Sequence, residues 1–222
     1  MSDIEIAGLE RYYGDRKALD GVTVTVPAGA TLAVFGANGA GKTTLLRVLA
    51  GLLRPHAGSA SVLGSALPKD AWKVRPQVGY LGHETFLYRD LTVRQNLRFH
   101  ARLHGVEPGK VDDVLERVGL SHRADDAVRE LSKGMVQRAA VARAILHEPK
   151  VLLLDEPRAN LDPAAAGQLE ALIGRPSGRT RVLVSHDVER TLAEADVAVG
   201  LRAGRQAFAG RVEEADVRKL FT

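Results

Sequence analysis

The chain has 222 residues, 45% of them apolar and 26% charged, which suits one large domain or a domain with a sizeable insertion and excludes a disordered chain. Its 31 Lys and Arg against 27 Asp and Glu leave a net charge of +4, too small to indicate nucleic acid and equally suited to an anionic small molecule or a membrane surface. Cysteine is absent, which excludes disulfides, thiolate zinc sites and a cysteine nucleophile.

The chain opens Met1-Ser2-Asp3-Ile4-Glu5, with acids where a secretory signal carries cations. Ile4-Glu5-Ile6 alternates as a strand does, and Val22 to Val26 is β-branched throughout and stops at Pro27. Thr31 to Phe35 is a short apolar run before a Gly-rich loop, as in a buried parallel strand. Apolar residues at helical spacing then run from Thr44 to Leu53, with Pro55 just beyond. Val78 to Leu81 predicts a further strand.

From Thr92 to His147 the pattern is helical. Thr92 caps a predicted helix through Leu97, Phe99 and Leu103 to Gly105. Val111 to Val118 predicts a second, ending at Gly119, and Ser132 opens a third that runs to Ile145. Strands return at Val151 to Leu154, Arg181 to Ser185, Val197 to Leu201 and Gln206 to Ala209, with helices between. A spanning helix needs about 20 apolar residues, far more than any run here, so a soluble, cytoplasmic α/β chain with a helical insertion is expected.

Gly36-Ala37-Asn38-Gly39-Ala40-Gly41-Lys42-Thr43 matches G-x-x-x-x-G-K-[ST], between the predicted strand and helix that such a phosphate loop needs. Its glycines let the backbone turn its N–H groups toward a phosphate, and the following helix aims its positive end there. Lys42 supplies a full charge and Thr43 a hydroxyl for Mg²⁺. Val151 to Leu154 ends in Asp155 and Glu156, a strand end where this class of fold holds the metal. Asp155 is expected at the metal and Glu156 at the attacking water.

These residues resemble the ATP-binding subunit of an ABC transporter from about Ile4 to Ala209. The discriminating segment is Leu131-Ser132-Lys133-Gly134-Met135, 24 residues before Asp155, similar to the family signature Leu-Ser-Gly-Gly-Gln and continued by Gln137-Arg138. The resemblance implies an α/β fold: a P-loop NTPase (RecA-like) core with an N-terminal antiparallel β-subdomain and an inserted α-helical subdomain. It implies one domain over 1–222, with core at 1–84 and 148–222 and helical subdomain at 85–147. It further implies that Tyr13 stacks on adenine, that 36–43 and Thr44 bind the nucleotide, and that 131–135 reaches the ATP of an opposite subunit. Asn160-Leu161-Asp162 matches the loop that contacts that subunit, and Ser185-His186-Asp187 places His186 by the γ-phosphate and the attacking water.

Four positions depart from the family pattern. Lys133 replaces a glycine, Met135 a glutamine, His83 the glutamine that usually ligates metal, and Arg158 a threonine or serine. His83 offers a nitrogen in place of an amide oxygen, which puts its part in metal ligation in question. The cofactors implied are ATP and Mg²⁺. The partners implied are a transmembrane permease and a second ATPase subunit, identical or similar, with no nucleic acid, at the cytoplasmic face of the membrane. Gly82-His83 and the runs 36–47 and 50–55 are similar to the haem exporter ATPase of cytochrome c maturation. Exporters of drugs, lipids or polysaccharide share much of this pattern, and a soluble non-transport ABC ATPase is the remaining alternative.

Overall fold

Residues 1–210 and Val217 are described by a computed structural model. The rest of 211–222, which the expected domain includes, lies outside the described residues. The chain begins with a long antiparallel hairpin, β1 (Ser2–Tyr13) and β2 (Arg16–Pro27), turning at Gly14 with φ +56°. Alternation along it buries Ile4, Ile6, Leu9, Leu19, Val22, Val24 and Val26 on one face. β3 (Thr31–Phe35) is buried throughout and runs into the Gly-rich loop and α1 (Lys42–Leu49). The hairpin β4 (Ala57–Val62) and β5 (Ser65–Leu67), then the single turn α2 (Ala71–Val74), lead to β6 (Val78–Leu81).

Three helices follow: α3 (Val93–His104), α4 (Lys110–Arg117) and α5 (Lys133–Ile145). They pack on one another around Leu97, Val114, Leu115, Val118 and Val141. The chain then alternates through β7 (Val151–Asp155), α6 (Pro163–Ile173), β8 (Thr180–Val184), α7 (Val188–Glu194), β9 (Val197–Arg202) and β10 (Arg205–Gly210).

The strands form one sheet in the order β5-β4-β1-β2-β10-β9-β3-β8-β7-β6. Its N-terminal side is antiparallel, whereas β9, β3, β8, β7 and β6 are parallel neighbours. This is the expected α/β phosphate-loop fold with its N-terminal β-subdomain and inserted helices. Register positions the site: Val34 pairs with Val184, Val184 with Asp155, and Leu154 with Leu81. The four loops that leave β3, β8, β7 and β6 therefore emerge side by side at one edge, where open α/β sheets bind ligands.

The structure differs from the sequence reading in four places. β1 extends far beyond Ile4–Ile6, because pairing with β2 and β4 carries its less alternating part. β4 and β5 were not anticipated, since Ala57-Gly58-Ser59-Ala60 has little β-propensity and is held by pairing with β1. α1 ends at Leu49 and not near Leu53: Gly51 adopts φ +66° and the Leu52 and Leu53 amides both turn back to the Arg47 carbonyl, leaving Leu52 exposed. Phe99 and Leu103 face outward on α3, and the buried position is taken by Asn96. Its amide donates to the Tyr88 and Thr92 carbonyls (3.0 and 2.9 Å) and its oxygen accepts from the Tyr88 N–H (2.8 Å), so its burial leaves no polar atom unpaired.

His100 on α3 and His147 just past α5 are half-buried near Arg143, and His147 stacks on His104 with ring centroids 4.0 Å apart. Burial lowers both His100 and His147 to about 4; Arg143 adds to it at His100 and His104 at His147. In the unfolded chain they titrate near 6.5. Protons therefore bind the unfolded state preferentially between these values. The stability that the neutral rings contribute is present above about pH 6.5 and lost as pH falls toward 4. Urea unfolding at pH 7.5 and pH 5 is expected to show a loss of about 1–2 kcal/mol per histidine. The double variant His100→Gln/His147→Gln is expected to flatten that dependence; an unchanged slope with pH would refute this origin for it.

Candidate functional site

The loop after β3 curls through Gly36, Gly39 and Gly41 at φ +148°, +78° and +114°. The Lys42 ammonium folds back to donate to the Gly36 and Ala37 carbonyls at 2.6 and 3.1 Å. It is half-buried, and burial lowers its pKa against the opposing pull of Asp155 and Glu156. α1 starts at Lys42 with no side chain capping it, so its first-turn N–H groups are left without partners, as at any helix start.

Thr43 follows Lys42 and its hydroxyl donates to Asp155 Oδ2 at 2.8 Å. This ties the loop to the end of β7, where Asp155 is buried. Glu156, the next residue, takes φ +49°, a left-handed conformation uncommon outside glycine. Its N–H is held by the Val184 carbonyl at 2.9 Å. That turn directs its carboxylate toward His186, with Oε1 3.6 Å from the imidazole Nε2. Burial raises the Glu156 pKa, opposed first by His186.

The same cleft, about 1030 Å³, is lined by Tyr13, Lys42, Thr43, Asp155, Glu156 and His186. His83 reaches it from the end of β6 as an exposed side chain. Tyr13 is not in the core: it is 45% exposed, with the Arg11 guanidinium 5.0 Å from its ring centre. Leu131, Lys133 and Asn160 line the cleft as well. Ser132 caps α5, accepting from the Met135 N–H at 3.3 Å. Asp162 caps α6, accepting from the Ala165 N–H at 2.8 Å.

The structure also brings the segments 131–135 and 160–162 together. A Cβ on Gly134 would lie 2.8 Å from the Asn160 carbonyl, and Met135 and Leu161 share one apolar cluster. Gln137 donates to the Pro157 carbonyl at 3.1 Å, linking α5 to the strand end that carries Glu156. Sequence reasoning gave Gln137 no such contact, and it missed Arg16, whose Nη2 donates to the Gly39 carbonyl at 2.6 Å. The signal for Arg16 was its place three residues after Tyr13, across the hairpin turn.

The donor set fits a nucleotide with Mg²⁺. Among the described residues no group of three or more His, Cys, Asp or Glu could hold a metal alone. Mg²⁺ does not need one, because it is held by one or two protein oxygens together with substrate phosphates and water. The Thr43 hydroxyl and the Asp155 carboxylate are oxygen donors already at one point.

A family model described as ABC transporter matches residues 19–159. The chain is 39% identical over 219 residues to the daunorubicin resistance ATP-binding protein DrrA3 of Streptomyces coeruleorubidus, covering 95% of this chain and 69% of that protein. It is 36% identical over 218 residues to the Nod factor export ATP-binding protein I of Burkholderia lata, covering 95% and 71%. It is 37% identical over 171 residues to the bacitracin transport ATP-binding protein BcrA of Bacillus licheniformis, covering 77% and 56%. Among solved structures, the ATP binding subunit of an ABC transporter superposes with a TM-score of 0.86 at 29% identity, covering 98% of this chain and 92% of that one. The cbiO1 protein from Clostridium perfringens superposes at 0.79 with 27% identity, covering 99% and 92%.

The loop depends on its glycines for space as well as for dihedral freedom. A Cβ on Gly41 would overlap the Ala18 carbonyl oxygen, and one on Gly36 the Leu201 carbonyl oxygen. Gly64 also has positive φ, +73°, but nothing stands within 4 Å of a Cβ there. Gly64→Ala is expected to cost about 1 kcal/mol of backbone strain, and Gly41→Ala at least twice that with loss of nucleotide binding. Thermal unfolding and ATP titration check both; equal, small losses would contradict the crowding at Gly41.

Proposed function

The chain belongs to the ABC transporter family as an ATP-binding subunit, and from that premise we propose that it drives a membrane exporter of the drug-export kind. Hydrolysis of ATP coupled to transport is the activity of the family. The observation that carries the reading of the site is the convergence of the Lys42 loop, the Asp155–Glu156 strand end and His186 in one cleft. The names of the relatives, for daunorubicin resistance, Nod factor export and bacitracin transport, support this class of cargo. They support it better than haem export, which rests on Gly82-His83 and the runs 36–47 and 50–55.

In this reading the backbone amides of 36–43 and Lys42 hold the β- and γ-phosphates, and Tyr13 stacks on the adenine. Bound Mg²⁺ would supply positive charge at the phosphates. Thr43 and Asp155 hold it, with His83 a second-rank candidate that contacts it through water. Glu156 takes the proton of the attacking water, and the imidazole of His186 orients that water against the γ-phosphate. Lys42 stabilises the charge on the leaving phosphate.

Two subunits, identical or similar, sandwich two ATP molecules head to tail. Each ATP lies between 36–43 of one chain and 131–135 of the other, and 160–162 meets the partner. Lys133, exposed on the cleft wall, and Ser132, exposed beside it, support this arrangement. The division into a core of 1–84 and 148–222 and a helical subdomain of 85–147 is part of the proposal, since closure moves one against the other. Among the described residues no helix is long and apolar enough to cross a membrane. A separate transmembrane permease then supplies the path, with this chain at its cytoplasmic face.

Glu156→Gln keeps the shape of the side chain and removes the base. It is expected to lower the hydrolysis rate by about 10²-fold or more while ATP binding persists and a nucleotide-loaded dimer accumulates. Steady-state rates and sedimentation measure this. A variant that hydrolyses ATP as fast as the parent and forms no dimer would overturn the role of Glu156.

A further inference from the structure

Resting on that reading of Glu156 and His186, we propose that Arg158 is a positioning residue that locks the two together from behind the cleft. Arg158 lies two residues after Glu156 and its Nη2 donates to two carboxylates, Glu170 of α6 at 2.7 Å and Glu194 of α7 at 2.6 Å. α7 is the helix that begins directly after Ser185-His186-Asp187. One guanidinium therefore ties the turn that carries Glu156 to the helix that carries the His186 turn.

The other ends of this network are fixed to the sheet. Arg181 on β8, 1% exposed, donates to Glu194 Oε2 at 3.1 Å and to the Thr31 hydroxyl of β3 at 2.8 Å. β8 runs into His186 and β3 into the phosphate loop. Arg190 reaches Glu170 at 3.2 Å and Glu194 at 3.5 Å. The segments that carry Glu156, His186 and the phosphate loop are thus joined through Glu194 or Glu170. The Glu156 N–H to Val184 bond and the Gln137 bond to the Pro157 carbonyl hold the Glu156 turn to the sheet and to α5, and Arg158 supplies its side-chain link to α7, the helix behind His186.

The network also predicts a variant that folds. It holds three arginines and two glutamates, so replacing Arg158 by methionine leaves two of each sign and no buried carboxylate without an arginine. One nitrogen, Nη2, serves both carboxylates, and Arg158→Lys keeps the charge but not the planar head that places that nitrogen between them.

The test uses the full chain with MgATP. Arg158→Met is expected to lower kcat about tenfold or more, because small misplacement of reacting groups is costly. KM and the affinity for ATP are expected to change less than about threefold, since no residue that holds the phosphates is touched. Arg158→Lys falls between. In the Glu156→Gln background, Arg158→Met is expected to add no further loss, which a merely structural role would add. Amide exchange at Glu156 and Ala159 is expected to quicken in Arg158→Met, a readout free of turnover. If Arg158→Met does not fold, Glu170→Gln, which removes the charge from one arm of the bridge, is expected to give the smaller kcat loss with the same unchanged KM.

A folded Arg158→Met with parental kcat, or one that loses equally in both backgrounds, overturns the proposal. Those outcomes leave the functional reading standing when the parent hydrolyses ATP and Glu156→Gln does not. A Glu156→Gln variant as fast as the parent overturns the reading itself.

Discussion

The hydrogen bond from the Thr43 hydroxyl to the Asp155 carboxylate joins two segments 112 residues apart, and the site is built around it. It exists because β3 and β7 flank β8 in parallel register, so that the residues just past β3 and the last residue of β7 reach the same edge of the sheet. A slip of the β7 register by one residue would turn Asp155 to the other face of the sheet and leave the loop with no oxygen partner. The buried strands around it, with Leu32, Val34, Leu153, Val182 and Val184 at 1% exposure or less, make that slip costly at about 1.5–3 kcal/mol for each large apolar side chain displaced.

From this closure the electrostatics follow. Lys42, Asp155, Glu156 and His186 share a partly water-excluded cleft in which burial disfavours the charged form of both Lys42 and Glu156. Neither is paired with its opposite at hydrogen-bond distance: Lys42 donates to carbonyls, and Glu156 stands 3.6 Å from His186. Charges held in this way are poised for phosphate, water and Mg²⁺ rather than spent on each other. Behind the cleft the opposite rule holds. Arg158, Arg181 and Arg190 are bound tightly to Glu170 and Glu194, and that part of the molecule is rigid framework.

The sequence made legible what local geometry enforces. The loop at 36–43 needs its glycines within a few residues of Lys42, and the helix caps Thr92 and Ser132 act within one turn, so these could be read in line. The strand ends at Asp155 and Ser185 were legible because an uninterrupted apolar run stops there. What escaped depends on partners far along the chain. β4 is a strand only because β1 lies beside it, and Asn96 is buried only because the 88–92 backbone wraps its amide. Arg181 opens a predicted strand, but its burial follows only from Glu194 and Thr31 around it. The outward turn of Phe99 and Leu103 has the same origin: helical periodicity finds an apolar face, but which face meets the core is decided by α5.

The central claim is that the cleft formed by the 36–43 loop and the Asp155–Glu156 strand end is where ATP is bound and cleaved. The most direct measurement is a crystal structure of the Glu156→Gln chain grown with MgATP. The account predicts triphosphate oxygens on the amides of 36–43 and on Lys42, a metal ion at Thr43 and Asp155, and Ser132 of a second copy facing the γ-phosphate. Nucleotide bound elsewhere, or bound here with Thr43 and Asp155 still hydrogen-bonded to each other and no metal between them, would contradict it.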